Sequence, residues 1–238
     1  MLHKRHDSIL MFNIGVSAFS LSIVLMLALN PPTTNEILFW RKPLVGLVFS
    51  LICAFGISSA FFPKQCSEAF HFRKGDNNFI SHLLSQTLKG HHPDCGKFSR
   101  HIMRSSNYTL CAACTGLCLG AFMVLVGSAL YFFGGLRFEE MGFPAVLIGI
   151  VKVIVGFFQL KFMGFVRLAS NAFFVLGAFL ILVGIDELTQ SLFVDLVLVI
   201  MIVFWILTRI LLSQWDHSRI CNSCESPCRV RELGKNRV

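Results

Sequence analysis

The chain has 238 residues, 55% of them hydrophobic and only 14% charged. A soluble domain carries roughly 25% charged residues, so too little polar surface is present to cover a globule in water. The formal charge of +8 would suit nucleic acid, but no basic and aromatic residues interleave as they do in such binders.

Apolar blocks dominate instead, and crossing a bilayer core takes about 20 residues at 1.5 Å rise each. The pattern predicts an all-α, polytopic membrane protein of six transmembrane helices with a cytoplasmic Cys/His-rich loop. The first helix runs from about Ile9 to Asn30, where Pro31 and Pro32 cannot continue it. It reads as a retained span, because no small-residue cleavage site precedes "PPTTNE". The second runs from about Leu44 to Phe62.

Residues 64–109 then form a loop too long for a passive connector. Within it, Phe79, Leu83, Leu84 and Leu88 are spaced along one face of a short amphipathic helix that Gly90 would close. The third helix spans about Leu110 to Phe133, with Gly116, Gly120 and Gly127 suited to close packing. The fourth runs from about Phe143 to Gln159 and the fifth, the shortest, from about Asn171 to Ile185. The sixth runs from about Leu192 to Leu212. The period-two alternation of barrel strands is missing. Four segments result: a two-helix membrane part (1–63), the loop (64–109), a four-helix membrane part (110–213) and a cytoplasmic Cys-rich basic tail (214–238).

Basic residues fall on alternate connections: Lys4 and Arg5, seven Lys/Arg in the loop, Lys161 and Arg167, and five Arg/Lys in the tail. The other connections hold Glu139, Glu140, Asp186 and Glu187, with Arg41 and Lys42 running against the trend. By the positive-inside rule the basic face, and both termini, are cytoplasmic, in the cell membrane. The partners this implies are the lipid bilayer, with some attraction to anionic lipid, and a membrane or cytoplasmic protein; nucleic acid is not among them.

Nine cysteines occur, and all but Cys53 lie near the predicted cytoplasmic face, where thiols stay reduced. Cys111 and Cys114 have the spacing with which one turn points two sulfurs at a single tetrahedral ion. They open the third helix, whose unpaired N–H groups favour thiolates. Upstream, His92 and Cys95 share that spacing, with His91 as an alternative and His101 further on. The candidate zinc site is Cys95, Cys111, Cys114 and either His92 or His101. A thioredoxin-like redox pair is the alternative, but its strand-and-helix context is missing. Cys118, one turn beyond Cys114, reads as a packing residue. In the tail, Cys221, Cys224 and Cys228, with His217, form a second candidate metal set. That tail could instead cap the first site, hold an iron–sulfur cluster with a loop cysteine, or stay unstructured.

Lys152 stands halfway along the fourth helix, where a charge must reach the bundle interior or snorkel. Asp195 is the only acid close to a span interior and reads as too shallow to pair. Gln159, Arg167, Ser170 and Asn171 gather at the inner ends of the fourth and fifth helices, as caps or headgroup contacts.

"CAACTGLCLG" resembles the Cys-x-x-Cys-Thr-Gly signature of an uncharacterised prokaryotic membrane-protein family, domain of unknown function 2085. "HHPDCGKFSRH" is similar to the His/Cys-rich segment of its archaeal-type members. The later family motif resembles Gly156, Gln159, Arg167, Ser170, Asn171 and Gly177 here, so the likeness covers roughly residues 91–180. Val155 departs from the acid common in the family, and Phe174 and Leu176 from its usual Arg and Thr. The family has no established activity; the resemblance implies metal-like ligands and names no reaction.

Together these features predict a structural or partner-binding membrane protein with a structural zinc site on its cytoplasmic face. A metal-dependent membrane enzyme would need an open coordination position, and no catalytic residue is assigned. A small-solute transporter would need a polar path, for which only Lys152, Gln159 and Asn171 offer themselves.

Overall fold

A helix that is apolar on nearly every side has only lipid or other helices to bury it. Among the described residues there are six such helices, each long and apolar enough to cross a membrane. The computed structural model describes residues 2–32, 38–61, 102–105, 108–136 and 141–222. They are α1 (Leu2–Leu29), α2 (Arg41–Phe61), α3 (Ala112–Ser128, prolonged by a π turn over Ala129–Phe133), α4 (Gly142–Phe157, with a 3-10 turn over Phe158–Lys161), α5 (Gly164–Thr189) and α6 (Leu192–Asn222). A two-stranded antiparallel hairpin precedes α3: β1 (Ile102–Ser105) pairs with β2 (Tyr108–Cys111), Ile102 opposite Cys111.

Helix α5 is the central element, buried over most of its surface. Lipid tails are as apolar as leucine, so helices in a bilayer gain from close backbone approach rather than from a hydrophobic drive. The sequence supplies small residues for it. Gly142, Gly149 and Gly156 on α4 recur every seven residues, as do Ser170, Gly177 and Gly184 on α5. A methyl on Gly149 would lie 2.7 Å from the Gly177 carbonyl oxygen, and one on Gly177 would lie 2.7 Å from the Gly149 carbonyl oxygen. Ser170 Oγ fits the same seam and donates to the Val155 carbonyl at 2.9 Å. On the other side of α5, Gly120 abuts Ala172 and Gly127 abuts the Phe179 ring. The packing role expected for Gly116, Gly120 and Gly127 is therefore observed.

The outer helices are held by polar links as well as packing. Trp205 Nε1 donates to Ser20 Oγ (2.6 Å), and Ser17 Oγ donates to Thr208 Oγ1 (3.0 Å), joining α1 to α6. Ser50 and Ser128 hydroxyls meet at 3.1 Å between α2 and α3. Phe49 stacks on Phe179 across the core, while Met11, Phe12, Phe55, Phe122 and Ile200 face outward, as a lipid-bathed surface requires.

Several helix ends differ from the sequence reading. Leu110 and Cys111, expected in the third helix, finish β2 instead. The fifth helix, expected over Asn171–Ile185, runs from Gly164 to Thr189, and Gln190 in the left-handed region (φ 48°) stops it. Its polar ends looked like loop because their partners lie on other helices. Helix α6 continues past Leu212 to Asn222. The amphipathic helix expected over Phe79–Leu88 lies outside the described residues.

Candidate functional site

The apolar bundle carries a buried polar cluster at each end. One lies where α3 begins, and here it is called the cysteine end. The backbone of Cys111 is extended (φ −73°, ψ 113°) as the N-cap of α3, and Thr115 Oγ1 donates back to its carbonyl at 2.9 Å. Cys111 and Cys114 are partly buried and are not in a disulfide. One turn further, Gly116 lies against the Leu168 carbonyl and the Asn171 side chain, so the start of α3 rests directly on the start of α5.

Three of the predicted inner-end residues meet below the cysteines, and a fourth residue joins them. Arg167 is 2% exposed and lies 3.7 Å from the Asp216 carboxylate of α6. Asn171 Nδ2 donates to the Arg167 carbonyl at 2.6 Å. Arg209 of α6, which the sequence reading did not single out, is 3% exposed. Its Nε donates to Asn171 Oδ1 at 2.8 Å; one terminal nitrogen donates to the same oxygen and to Gln159 Oε1 at 3.1 Å. Gln159 is fully buried, and with its oxygen committed to Arg209 its Nε2 has no hydrogen-bond partner among the described residues. Ser170 is spent on the α4–α5 seam. A cation inside an apolar block is the signal that could have found Arg209.

The remaining candidate ligands are not placed. His92, Cys95, His101, Cys224 and Cys228 lie outside the described residues, as do the side chains of His217 and Cys221. Among the described residues, no three His, Cys, Asp or Glu side chains converge as a metal site. Cys111 and Cys114 are the described part of the candidate zinc set, and soft, reduced sulfurs two residues apart suit that ion.

The second cluster sits at the opposite end of the bundle. The buried Arg41, at the start of α2, donates from one terminal nitrogen to Asp186 of α5 and to Asp195 of α6, each at 2.6 Å. Lys42 reaches Glu187 (3.0 Å) and the Tyr131 hydroxyl (3.2 Å). That hydroxyl donates towards Asp186 (2.5 Å) and Glu187 (2.7 Å). The second Asp195 oxygen, Oδ1, has no hydrogen-bond partner among the described residues. Asp195 was expected to be too shallow to pair and the only acid near a span interior; both expectations fail. Asp186 is as deep, because α5 extends four residues beyond its expected end, and Arg41 comes inward to meet both. The cations that ran against the charge trend are thus bundle-internal partners, not loop residues.

Lys152 joins neither cluster. Its ammonium lies 5.5 Å from the Phe173 ring centroid, and among the described residues it has no acidic partner. It does not connect with Gln159 and Asn171 into a polar path.

Fold and site define a six-helix protein built to span a membrane. Compared with known proteins, the chain matches no family model, no curated protein and no solved structure.

Proposed function

We propose that this is an integral protein of the cell membrane whose cysteine end faces the cytoplasm and holds a structural zinc ion. Cys111 and Cys114 supply two ligands; Cys95 and either His92 or His101 supply the others. The ion fastens the 64–109 loop to the bundle, and the face so formed binds a membrane or cytoplasmic protein partner.

The observation that carries this reading is the position of the two cysteines outside any disulfide. They lie one turn apart at the N-terminus of α3, directly after a hairpin that brings Ile102, the near end of the loop, opposite Cys111. Four protein ligands leave no open position for chemistry, which favours a structural over a catalytic ion. Part of the reading is membership in the uncharacterised family named above. Of the positions that carry that likeness, Cys111, Cys114, Gln159, Arg167 and Asn171 gather around one end of α5. The basic connections lie on the cysteine side, consistent with a cytoplasmic face.

Metal analysis of detergent-purified protein tests it. One zinc per chain is expected, and Cys114→Ser should lose the zinc together with most of its accumulation in membranes. Two ions per chain would bring in the His217/Cys221/Cys224/Cys228 tail. A metal-free wild type refutes the zinc, and a stable, well-folded, zinc-free Cys114→Ser protein refutes its structural role.

A further inference from the structure

Helices α1 and α4 leave a groove of about 600 Å³ between them. It runs from Ile14 to Leu25 along α1 and from Lys161 back to Ile150 along α4, and the buried Leu212 of α6 lines it as well. Ala18 and Ser22, one turn apart on α1, are too small to fill the gap, and both stay exposed. Exposed Ile154 and Phe158 line the facing wall, so the groove opens outward, where a bilayer would lie against the bundle. Its hydroxyls are spent inside the protein: Ser17 donates to Thr208 at 3.0 Å and Ser22 to the Ala18 carbonyl at 3.1 Å. The charge on the lining is that of Lys161, at the cysteine end. Its ammonium lies 5.4 Å from the centroid of the Phe158 ring, and among the described residues it has no acidic partner.

We propose that this groove holds one acyl chain of an anionic phospholipid from the leaflet at the cysteine end, with the phosphate against Lys161. Length supports a single chain. From Ile14 to Leu25 the helix rises about 16 Å at 1.5 Å per residue, and half of a hydrocarbon core about 30 Å thick is about 15 Å. Position gives the leaflet: α4 and its 3-10 turn run from Gly142 to Lys161, and the groove covers only the half next to Lys161. Its mouth is therefore level with the headgroups and its far end is near the bilayer midplane. Chemistry gives the head. Apolar walls suit a tail, and an ammonium without an acidic partner, carried to the interface on a flexible stem, favours a headgroup of net negative charge. The site does not depend on the zinc reading above.

Native mass spectrometry of the purified full-length protein tests this. Delipidated protein is titrated with phosphatidylglycerol or with phosphatidylcholine of identical chains, in wild type, Lys161→Gln, Lys161→Arg, Ala18→Phe and Ser22→Phe. In wild type the first phosphatidylglycerol should bind about fivefold more tightly than the first phosphatidylcholine, the worth of one basic residue beside an anionic headgroup. Lys161→Gln should lose that preference while still binding both lipids, and Lys161→Arg should keep it. Ala18→Phe and Ser22→Phe fill the groove from two exposed positions, so both should fold, as read by far-UV circular dichroism, and neither should hold a tightly bound lipid of either kind. A wild type that binds no lipid tightly overturns the proposal; a segment of this chain seated in the groove would give that result. Equal affinity for the two lipids in wild type overturns it too, because the groove would then be an unselective apolar gap. So does phosphatidylglycerol binding that is unchanged in both phenylalanine variants, because the lipid would then sit elsewhere.

Discussion

Replacing Arg41 with glutamine removes the one group that both Asp186 and Asp195 contact at 2.6 Å. What remains is unequal. Asp186 keeps the Tyr131 hydroxyl at 2.5 Å and Lys42 at 3.4 Å, so it stays partly compensated. Among the described residues, Asp195 loses the hydrogen-bond partner that Oδ2 has in Arg41 while Oδ1 already has none, and it is fully buried. Stranding one buried charge by removing its partner costs about 3–5 kcal/mol, a large part of the roughly 5–15 kcal/mol that holds a domain folded. Arg41→Gln should therefore lower stability by about 3 kcal/mol, the low end because a stranded carboxylate can take up a proton. The second site distinguishes pairing from bulk. Asp195→Asn removes the stranded charge, so adding it to Arg41→Gln should recover about 2 kcal/mol as coupling between contacting residues. Reversible unfolding of the purified protein in mixed micelles, followed by far-UV circular dichroism with denaturant, measures both. A loss under about 1 kcal/mol in Arg41→Gln, or strictly additive effects in the double variant, would refute the claim that this network fastens α2, α5 and α6 together.

Other outcomes follow from the same contacts. Gly149→Leu pushes a side chain into a seam where even a methyl would lie 2.7 Å from the Gly177 carbonyl, so the protein should fail to accumulate, whereas Gly15→Ala, with nothing within 4 Å, should be close to neutral by thermal stability. Trp205→Phe removes the indole donor to Ser20 at 2.6 Å and should cost about 1 kcal/mol of stability in denaturant titration, with α1 the first helix to become protease-sensitive. In intact cells a membrane-impermeant maleimide should label Gln190→Cys, exposed at the Arg41 end, and leave Cys111 and Cys114 unlabelled until the membrane is permeabilised and zinc is chelated.

How much of this was legible in the sequence depends on how local the signal was. Six spans were readable because about 20 apolar residues in a row need no partner to be recognised. Gly116, Gly120 and Gly127 could be assigned to packing because small residues in a membrane helix have few other uses. Cys111 and Cys114 were legible from spacing alone. The Arg41 network was not: Arg41 is 145 and 154 residues from Asp186 and Asp195, and Arg41 and Asp186 read as residues of connections. Only the crossing of α2, α5 and α6 turns them into one buried group. Arg209 was hidden for a related reason. It stands near the end of an apolar block, and its burial comes from α5 and the turn after α4, which bring Asn171 and Gln159 against it. The helix ends were misplaced wherever such residues stood, since a polar residue whose partner is remote reads as solvent-exposed.

X-ray absorption at the zinc edge of the purified wild-type protein tests the central claim most directly. A tetrahedral centre should appear with three sulfur neighbours at about 2.3 Å and one nitrogen at about 2.0 Å. A first shell of nitrogen and oxygen alone, or no zinc to measure, would contradict it.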